Sequence, residues 1–410
     1  MKIDLADKIP QKLLKAAMSI YQKLSDSGYE AYLVGGCVRD LLLDLPVREV
    51  DMTSNCLPSK LMQLFPGSIP VGIEFGTVIV RINKVPVEVT TYRHDFDYTD
   101  GRRPGKISFG NSLKEDVLRR DFTINGLAID PLKNEVIDHV SGFIDIQQSR
   151  LRTIGDPLER FAEDGLRSIR GCRFAARLGL RIEKNTFDGM AQMRHVTEKV
   201  SRERFFEEWK KTIADHNRFK FWIYLEQAGL LNLFLKTSYN FNEKSLKEFC
   251  SFKRINSMGV YAAYLLQALS VNLNEISGIL KYLKFPNKEI NLTLELLKFS
   301  NYDITSEFQL RSALTAISRN NRVAFRRYIR EHPNYKQKLV LIVKQFKNRQ
   351  LSLSVKELNI NGNDLKSMIP GLEGKQIGEK LAVIHEANLS GEIENSKESL
   401  TRFAAKKFKR

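Results

Sequence analysis

A chain of 410 residues with 42% hydrophobic content is too long and too apolar to be disordered, and it can hold two to four packed domains. Its formal net charge of +17 is unevenly spread: residues 1–150 hold 19 Lys and Arg against 20 Asp and Glu, and the remainder holds 46 against 28. That excess points to a polyanion along the C-terminal two-thirds and leaves RNA, DNA and a membrane surface open.

No stretch is long enough to span a bilayer, since the longest nearly apolar run, Gly259 to Val271, is 13 residues against the roughly 20 required. The first ten residues, "MKIDLADKIP", alternate charge with apolar side chains and lack the core of a secretory signal. A cytoplasmic protein with no membrane partner is expected. Cys37, Cys56, Cys172 and Cys250, like His94, His139, His195, His216, His332 and His385, are dispersed without the spacing of a zinc site or a disulfide framework.

Along the first 150 residues, runs of β-branched and apolar residues predict strands in "AYLVGG", "REVDMTS", "GTVIVRI", "VPVEVTTY", "INGLAID" and "NEVIDHV", with a hairpin turn inside "RINKVPVE". From about residue 155 the pattern turns helical, beginning with "PLERFAEDGLRSIRGCRFAARLGL". The fold class is therefore α+β: a small mixed β-sheet head followed by an elongated all-α region. Expected segments are 1–150, 151–215, 216–300 and 301–410.

The first stretch with chemical content is "YLVGGCVRDLLL", a strand ending in Gly35 and Gly36 and leading into a helix with Arg39 and Asp40. Two glycines at such a turn let backbone N–H groups approach a phosphate, and the helix start favours the negative charge. A Gly-Gly turn alone is a weak signal. Next come Glu49 and Asp51, which a two-residue strand period sends to one face. Paired like charges there are either a solvated face or ligands for an oxygen-loving divalent cation. Glu88, at the centre of the otherwise apolar "VPVEVTTY", adds a third carboxylate that is costly to bury unless paired or metal-bound. Three carboxylates beside a phosphate cradle suit two Mg²⁺ ions, one polarising a hydroxyl and one clamping a triphosphate.

In order and spacing, "GGCVRD", the carboxylate pair, "RRDFTINGLAID" and "GDPLERFAEDGLRSIRGCRFAARLGL" resemble the bacterial tRNA nucleotidyltransferases. These are the class II CCA-adding enzymes and poly(A) polymerases of the DNA polymerase β-like superfamily. The resemblance is dense over residues 30–215 and recurs weakly near the C-terminus. It implies a catalytic head over 1–150, a nucleotide-selecting neck over 151–215, a helical body over 216–300 and a tRNA-binding tail over 301–410. It implies that Glu49 and Asp51 bind Mg²⁺ with Glu88 as the third acidic residue, and that Gly35, Gly36 and Arg39 meet the triphosphate. Arg119, Arg120 and Asp121 would bind sugar and phosphates.

The resemblance also gives the helix holding "EDGLR" the task of reading the base, and base chemistry agrees. Asp164 accepts from an exocyclic amino group while Arg167 donates to the adjacent ring nitrogen. Cytosine and adenine present that pattern; uracil and guanine present its reverse. Arg170 and Arg173 continue the row toward the phosphates, and Glu163, Glu203 and Arg204 would support the reading helix.

The expected activity is template-independent addition of CCA to the 3′ end of tRNA from CTP and ATP, with the acceptor and TΨC arm docked by backbone and shape. An A-adding enzyme that works beside a separate CC-adding one is the second reading; by the same resemblance, the full-length, charged, glycine-containing segment Tyr92 to Phe109, which reads as a movable loop, disfavours CC-only addition. Poly(A) polymerase is more distant, because "FPGSIPVGIEFGTVIV" lacks its Arg-rich counterpart. A tRNA-binding protein with an impaired site is the non-enzyme reading, motivated by Glu49 where the family usually carries Asp. Basic residues in Arg322–Arg330 and Arg402–Arg410 are expected to meet RNA.

Overall fold

The computed structural model describes residues 1–96, 106–250, 255, 257–300, 307–315, 317–331, 352 and 354–408. The chain divides into two compact units, Met1–Lys236 and Thr237–Arg410.

In the first unit the strands are β1 (Ala31–Val34), β2 (Asp51–Ser54), β3 (Ile69–Pro70), β4 (Thr77–Ile82), β5 (Val85–Thr91), β6 (Arg93–Phe96), β7 (Lys106–Phe109), β8 (Leu127–Asp130) and β9 (Glu135–Asp138). Seven of them form one sheet in the order β3-β4-β5-β2-β1-β8-β9. Its neighbours run antiparallel apart from the parallel pair β2 and β5. The predicted hairpin is a two-residue turn in which Asn83 and Lys84 both take positive φ, 51° and 67°; it joins Ile82 to Val85, and this turn type matches strand twist.

Strand alternation sorts the sheet into two faces. Leu33, Met52, Val89 and Val78 are register neighbours across four strands, and all are fully buried. Helix Gln11–Asp26 covers them with Ala16, Ala17, Ile20 and Leu24, a stripe at helical spacing. Burying each large side chain stabilises the fold by about 2 kcal/mol. The opposite face carries Asp51 and Glu88, register partners on β2 and β5. One face is thus anchored, and the other is left for chemistry.

After the sheet the first unit is helical. Helix Leu166–Leu178 packs against Arg202–Lys211 and Arg218–Gln227. An aromatic cluster holds this region together: Phe205 stacks on Phe234 at 3.8 Å and Trp209 meets Trp222 edge-on at 4.8 Å.

The second unit is all helical among the described residues. The apolar run noted above forms helix Met258–Ala268, buried on nearly every side, which is why its hydrophobicity is not confined to one face. It packs on Asn287–Ser300, and Tyr264 stacks on Tyr328 at 4.7 Å. A second core gathers Leu358, Ile360, Leu365, Leu372, Ile384, Leu400 and Ala404. Among the described residues, no helix is long and apolar enough to cross a membrane. The basic stretch from Arg322 lies on helix Arg322–Glu331 and that from Arg402 on helix Lys397–Phe408, while residues 409 and 410 lie outside the described residues.

The mixed-sheet head followed by a helical region is as expected, with one difference. The segment Tyr92 to Phe109, read as a loop, opens and closes with strands β6 and β7, paired antiparallel from Arg93–Phe109 to Phe96–Lys106. Residues 97–105 of it lie outside the described residues.

Candidate active site

Gly35 has φ 73° and ψ −136°, a conformation open essentially to glycine alone. A Cβ there would lie at ordinary contact distance from Arg120 Nη1 (3.6 Å) and Asp51 Oδ2 (3.7 Å), so it is the backbone conformation that requires glycine, and the β1 turn it makes sits beside both an acid and a base. Gly36 then starts helix Gly36–Leu42. Together these residues form one wall of a cavity of about 670 Å³.

Asp51, Glu88 and Glu49 line the same cavity. The Asp51 carboxyl is pushed up to about 7 by burial first, then by the charges of Glu88 and Glu49; Glu88 is raised for the same two reasons, burial and Glu49. Two sequence expectations change here. Glu49 precedes β2 and is exposed, so it reaches the cluster from outside the strand. Glu88 keeps an exposed surface on the open face and is only partly withdrawn from water, enough to raise its pKa, so it does not meet the deep burial expected for the centre of an apolar strand. Among the described residues, no three His, Cys, Asp or Glu side chains already form a metal cage. The donors are nonetheless all carboxylate oxygens, which suits a hard divalent cation, and their mutual repulsion is what such a cation relieves.

Facing the carboxylates is a ring of cations held in place by acids. Arg119 and Arg120 both bond the buried Asp116, at 2.6 Å and 2.9 Å. Those two guanidiniums outweigh the cost of burying Asp116 and hold its carboxyl below the usual range. Asp121 accepts from Arg170 Nε at 2.8 Å and from Asn125 Nδ2 at 3.0 Å. Burial alone would raise its pKa, but Arg170 and Asn125 bring it down to about 2. Arg173 donates to Glu208 at 2.5 Å. The arginines expected at phosphates therefore enter the cavity with acidic partners that fix their directions.

The reading residues differ from expectation in their placement. Helix Pro157–Glu163 ends just before Asp164, whose φ −150° and ψ 107° are extended, and a new helix starts at Leu166. Asp164 is thus at a break, where its carboxylate caps the second helix by accepting from Leu166 N at 2.9 Å. A Cβ on Gly165 would come within 2.6 Å of Val196 O and 2.7 Å of Thr197 Cα, so the chain passes too close to its neighbour for any side chain. Arg204 clamps Asp164 with both Nη atoms, at 3.1 Å and 2.7 Å. Arg167 is held by Glu163 and by the carbonyl of Arg119 at 3.2 Å.

Of the predicted site residues, Gly35, Gly36, Arg39, Glu49, Asp51, Glu88, Arg119, Arg120, Asp121, Asp164, Arg167, Arg170, Arg173 and Arg204 line this one cavity. Glu163 stands behind it as the partner of Arg160 and Arg167, and Glu203 is exposed and does not line it. Sequence reasoning missed Arg93, Asn125, Phe174, Arg177 and Lys211, which also line it. Asn125 stands inside the quoted "RRDFTIN", and Phe174 and Arg177 follow Arg170 at i+4 and i+7, so extending the helical row would have reached them.

A family model of the Poly A polymerase head domain matches residues 31–152. A model of the polymerase A RNA- and SrmB-binding site matches 179–238, and one of tRNA nucleotidyltransferase domain 2 matches 255–404. The CCA-adding enzyme of Enterococcus faecalis is 33% identical over 406 residues, covering 97% of each chain. This chain belongs to the CCA-adding enzyme family. The member from Ligilactobacillus salivarius is 33% identical over 98% of both chains. Among solved structures, the Bacillus stearothermophilus CCA-adding enzyme in complex with CTP matches with a TM-score of 0.78 and 30% identity, over 97% of this chain and 98% of that one. Membership makes the chain a nucleotidyltransferase of the polymerase β-like type, a class generally dependent on a divalent metal.

Proposed function

We propose that this chain adds C, C and A to the 3′ end of tRNA from CTP and ATP, without a template, and that it does so in the cytoplasm. The observation that carries the reading is the single cavity whose lining brings the Asp51–Glu88 carboxylate pair together with the Arg120 and Arg170 guanidiniums and with Asp164 and Arg167. In nucleotidyl transfer the tRNA 3′ hydroxyl attacks the α-phosphorus of the nucleotide, its proton departs, and pyrophosphate leaves. Glu49 and Asp51, with Glu88 beside them, would hold Mg²⁺, which supplies charge neutralisation at the phosphates and a more acidic hydroxyl.

The chain's own groups do the rest. The Gly35–Gly36 turn offers backbone N–H groups with no side chain in the way, and Arg119 and Arg120, directed by Asp116, supply positive charge to the triphosphate. Asp121, expected at the sugar, instead spends its lone pairs on Phe122 N, Asn125 and two nitrogens of Arg170, so it acts by directing Arg170 into the cavity, and its lowered pKa keeps it ionised for that. Arg204 orients the Asp164 carboxylate, whose Oδ1 is filled by Leu166 N and Arg204 Nη1 and whose Oδ2 keeps a lone pair for an exocyclic amino group, and Arg167, oriented by Glu163, donates to the ring nitrogen. One acceptor and one donor then admit cytosine and adenine and refuse uracil and guanine. Selection by side chains needs no nucleic-acid template.

The test is incorporation of labelled CTP or ATP into tRNA lacking its 3′ end, with Mg²⁺ present, by the wild type and by Asp51→Asn. Extension by the wild type and none by the variant is expected; no incorporation of either nucleotide by the wild type refutes the reading.

A further inference from the structure

Helix Leu166–Leu178 is gripped by the sheet unit at two places, and the two grips are joined by one continuous chain of side chains. At one end Arg170 Nε donates to Asp121 Oδ2 at 2.8 Å. Asp121 Oδ1 in turn accepts from Asn125 Nδ2 at 3.0 Å, and Asn125 Oδ1 accepts from Arg39 Nη1 at 2.7 Å. Arg39 passes the chain on, donating to Asp40 Oδ1 from Nε at 2.8 Å and from Nη2 at 2.6 Å. Asp40 Oδ2 then accepts from Arg177 Nη2 at 3.3 Å, back on the same helix. Arg170 and Arg177 are seven residues apart, two turns, and lie on one face. The circuit is closed, and Phe174 fills it: the Arg39 and Arg170 guanidiniums lie 5.1 Å and 5.2 Å from its ring centre.

Each link has the polarity it needs. Asn125 is the one neutral member, and its amide gives a carbonyl to a cation on one side and an N–H to an anion on the other; a carboxylate there would face Asp121 with like charge. Arg39 commits three of its five N–H donors to Asp40 and Asn125 and is almost fully buried. Asp40, absent from the cavity lining, ties Arg39 to Arg177.

We propose that Asp40, Asn125 and Arg177 are positioning residues, which fix the base-reading end of helix Leu166–Leu178 relative to the Asp51 carboxylate by closing this ring. The inference rests on the nucleotidyl-transfer reading above. Asp164 and Arg167 stand at the start of that helix, and the Gly35 turn and Asp51 lie on the sheet. The ring decides whether a base held at one site presents its α-phosphate at the other. Loosening it leaves each site intact and spoils their alignment, so turnover and selection fall together while nucleotide affinity is kept.

The experiment compares full-length wild type with Asp40→Asn, Asn125→Asp and Arg177→Met on tRNA lacking its terminal A, with ATP and with UTP, alongside thermal midpoints. Arg177 is well exposed, so its variant keeps the fold. Each variant is expected to lose about tenfold in kcat with KM for ATP within about twofold, and to gain in UTP insertion relative to ATP. A loss confined to KM, or wild-type kcat and selection in Arg177→Met and Asn125→Asp, overturns the inference. A wild type that adds neither nucleotide overturns the functional reading instead.

Discussion

Asp51 meets opposed demands: it is mostly withdrawn from water, yet it shares one corner of the cavity with two other carboxylates, and the outcome is a pKa near 7. Glu49 is the residue that tests what this corner is for. It reaches in from outside β2, so a longer side chain is tolerable there, and the carboxylate matters more than its length. Glu49→Gln is expected to slow nucleotide addition by about a hundredfold and Glu49→Asp to stay within about tenfold of wild type; equal rates for Gln and wild type would remove Glu49 from the metal site. Asp121 makes a prediction of the opposite electrostatic kind. Its folded pKa is lowered to about 2, so its contribution to stability is full above the unfolded value of about 4 and is lost as pH falls toward about 2. Asp121→Asn should therefore unfold about 2 kcal/mol more easily at neutral pH and show a flatter acid limb in that window, as read by urea denaturation at several pH values. Charged residues inside a dense motif were legible from sequence. Asn125 and Phe174 lay within reach of the same motifs and were missed because they carry no charge, whereas Lys211 was not legible, because it joins the cavity only through tertiary packing.

Among elements, the break between helices Pro157–Glu163 and Leu166–Leu178 does the most for the site. Sequence periodicity runs straight through "ERFAEDGLRSIR" and reads as one helix; the extended Asp164 and the backbone contact at Gly165 come from tertiary packing against Val196 and Thr197, which periodicity does not encode. Gly165 has ordinary helical φ, so Gly165→Ala carries no conformational penalty, and its cost isolates that contact. A destabilisation of about 1–3 kcal/mol is expected, together with weaker discrimination against UTP. A variant as stable and selective as wild type would show that the close approach is not needed. Strands were more legible: β-branched runs around Asn83 and Lys84 marked the hairpin that joins β4 to β5. The β6–β7 ribbon escaped because "RHDF" and "KISF" are short and lack a clean apolar alternation, so they look like loop.

For the whole molecule, the uneven charge and the helical second unit fit a body that meets RNA through its backbone. Affinity for tRNA should fall at least about tenfold between low and physiological salt, measured by filter binding; a salt-independent affinity would contradict backbone docking. The two-part plan, sheet first and helices after, was legible because period two gives way to period 3.6 near residue 155. The unit boundary after Lys236 was not, since helix follows helix there without a change of composition. The central claim is that one cavity reads two bases in order with no template. The most direct measurement is to incubate the purified chain with Mg²⁺, all four nucleotides and tRNA ending before its CCA, in parallel with tRNA ending in CC, and to sequence the new 3′ ends. Ends that stop at CCA, with no U or G inserted, are the predicted result; ends left unextended, or A added only to a supplied CC end, would contradict it.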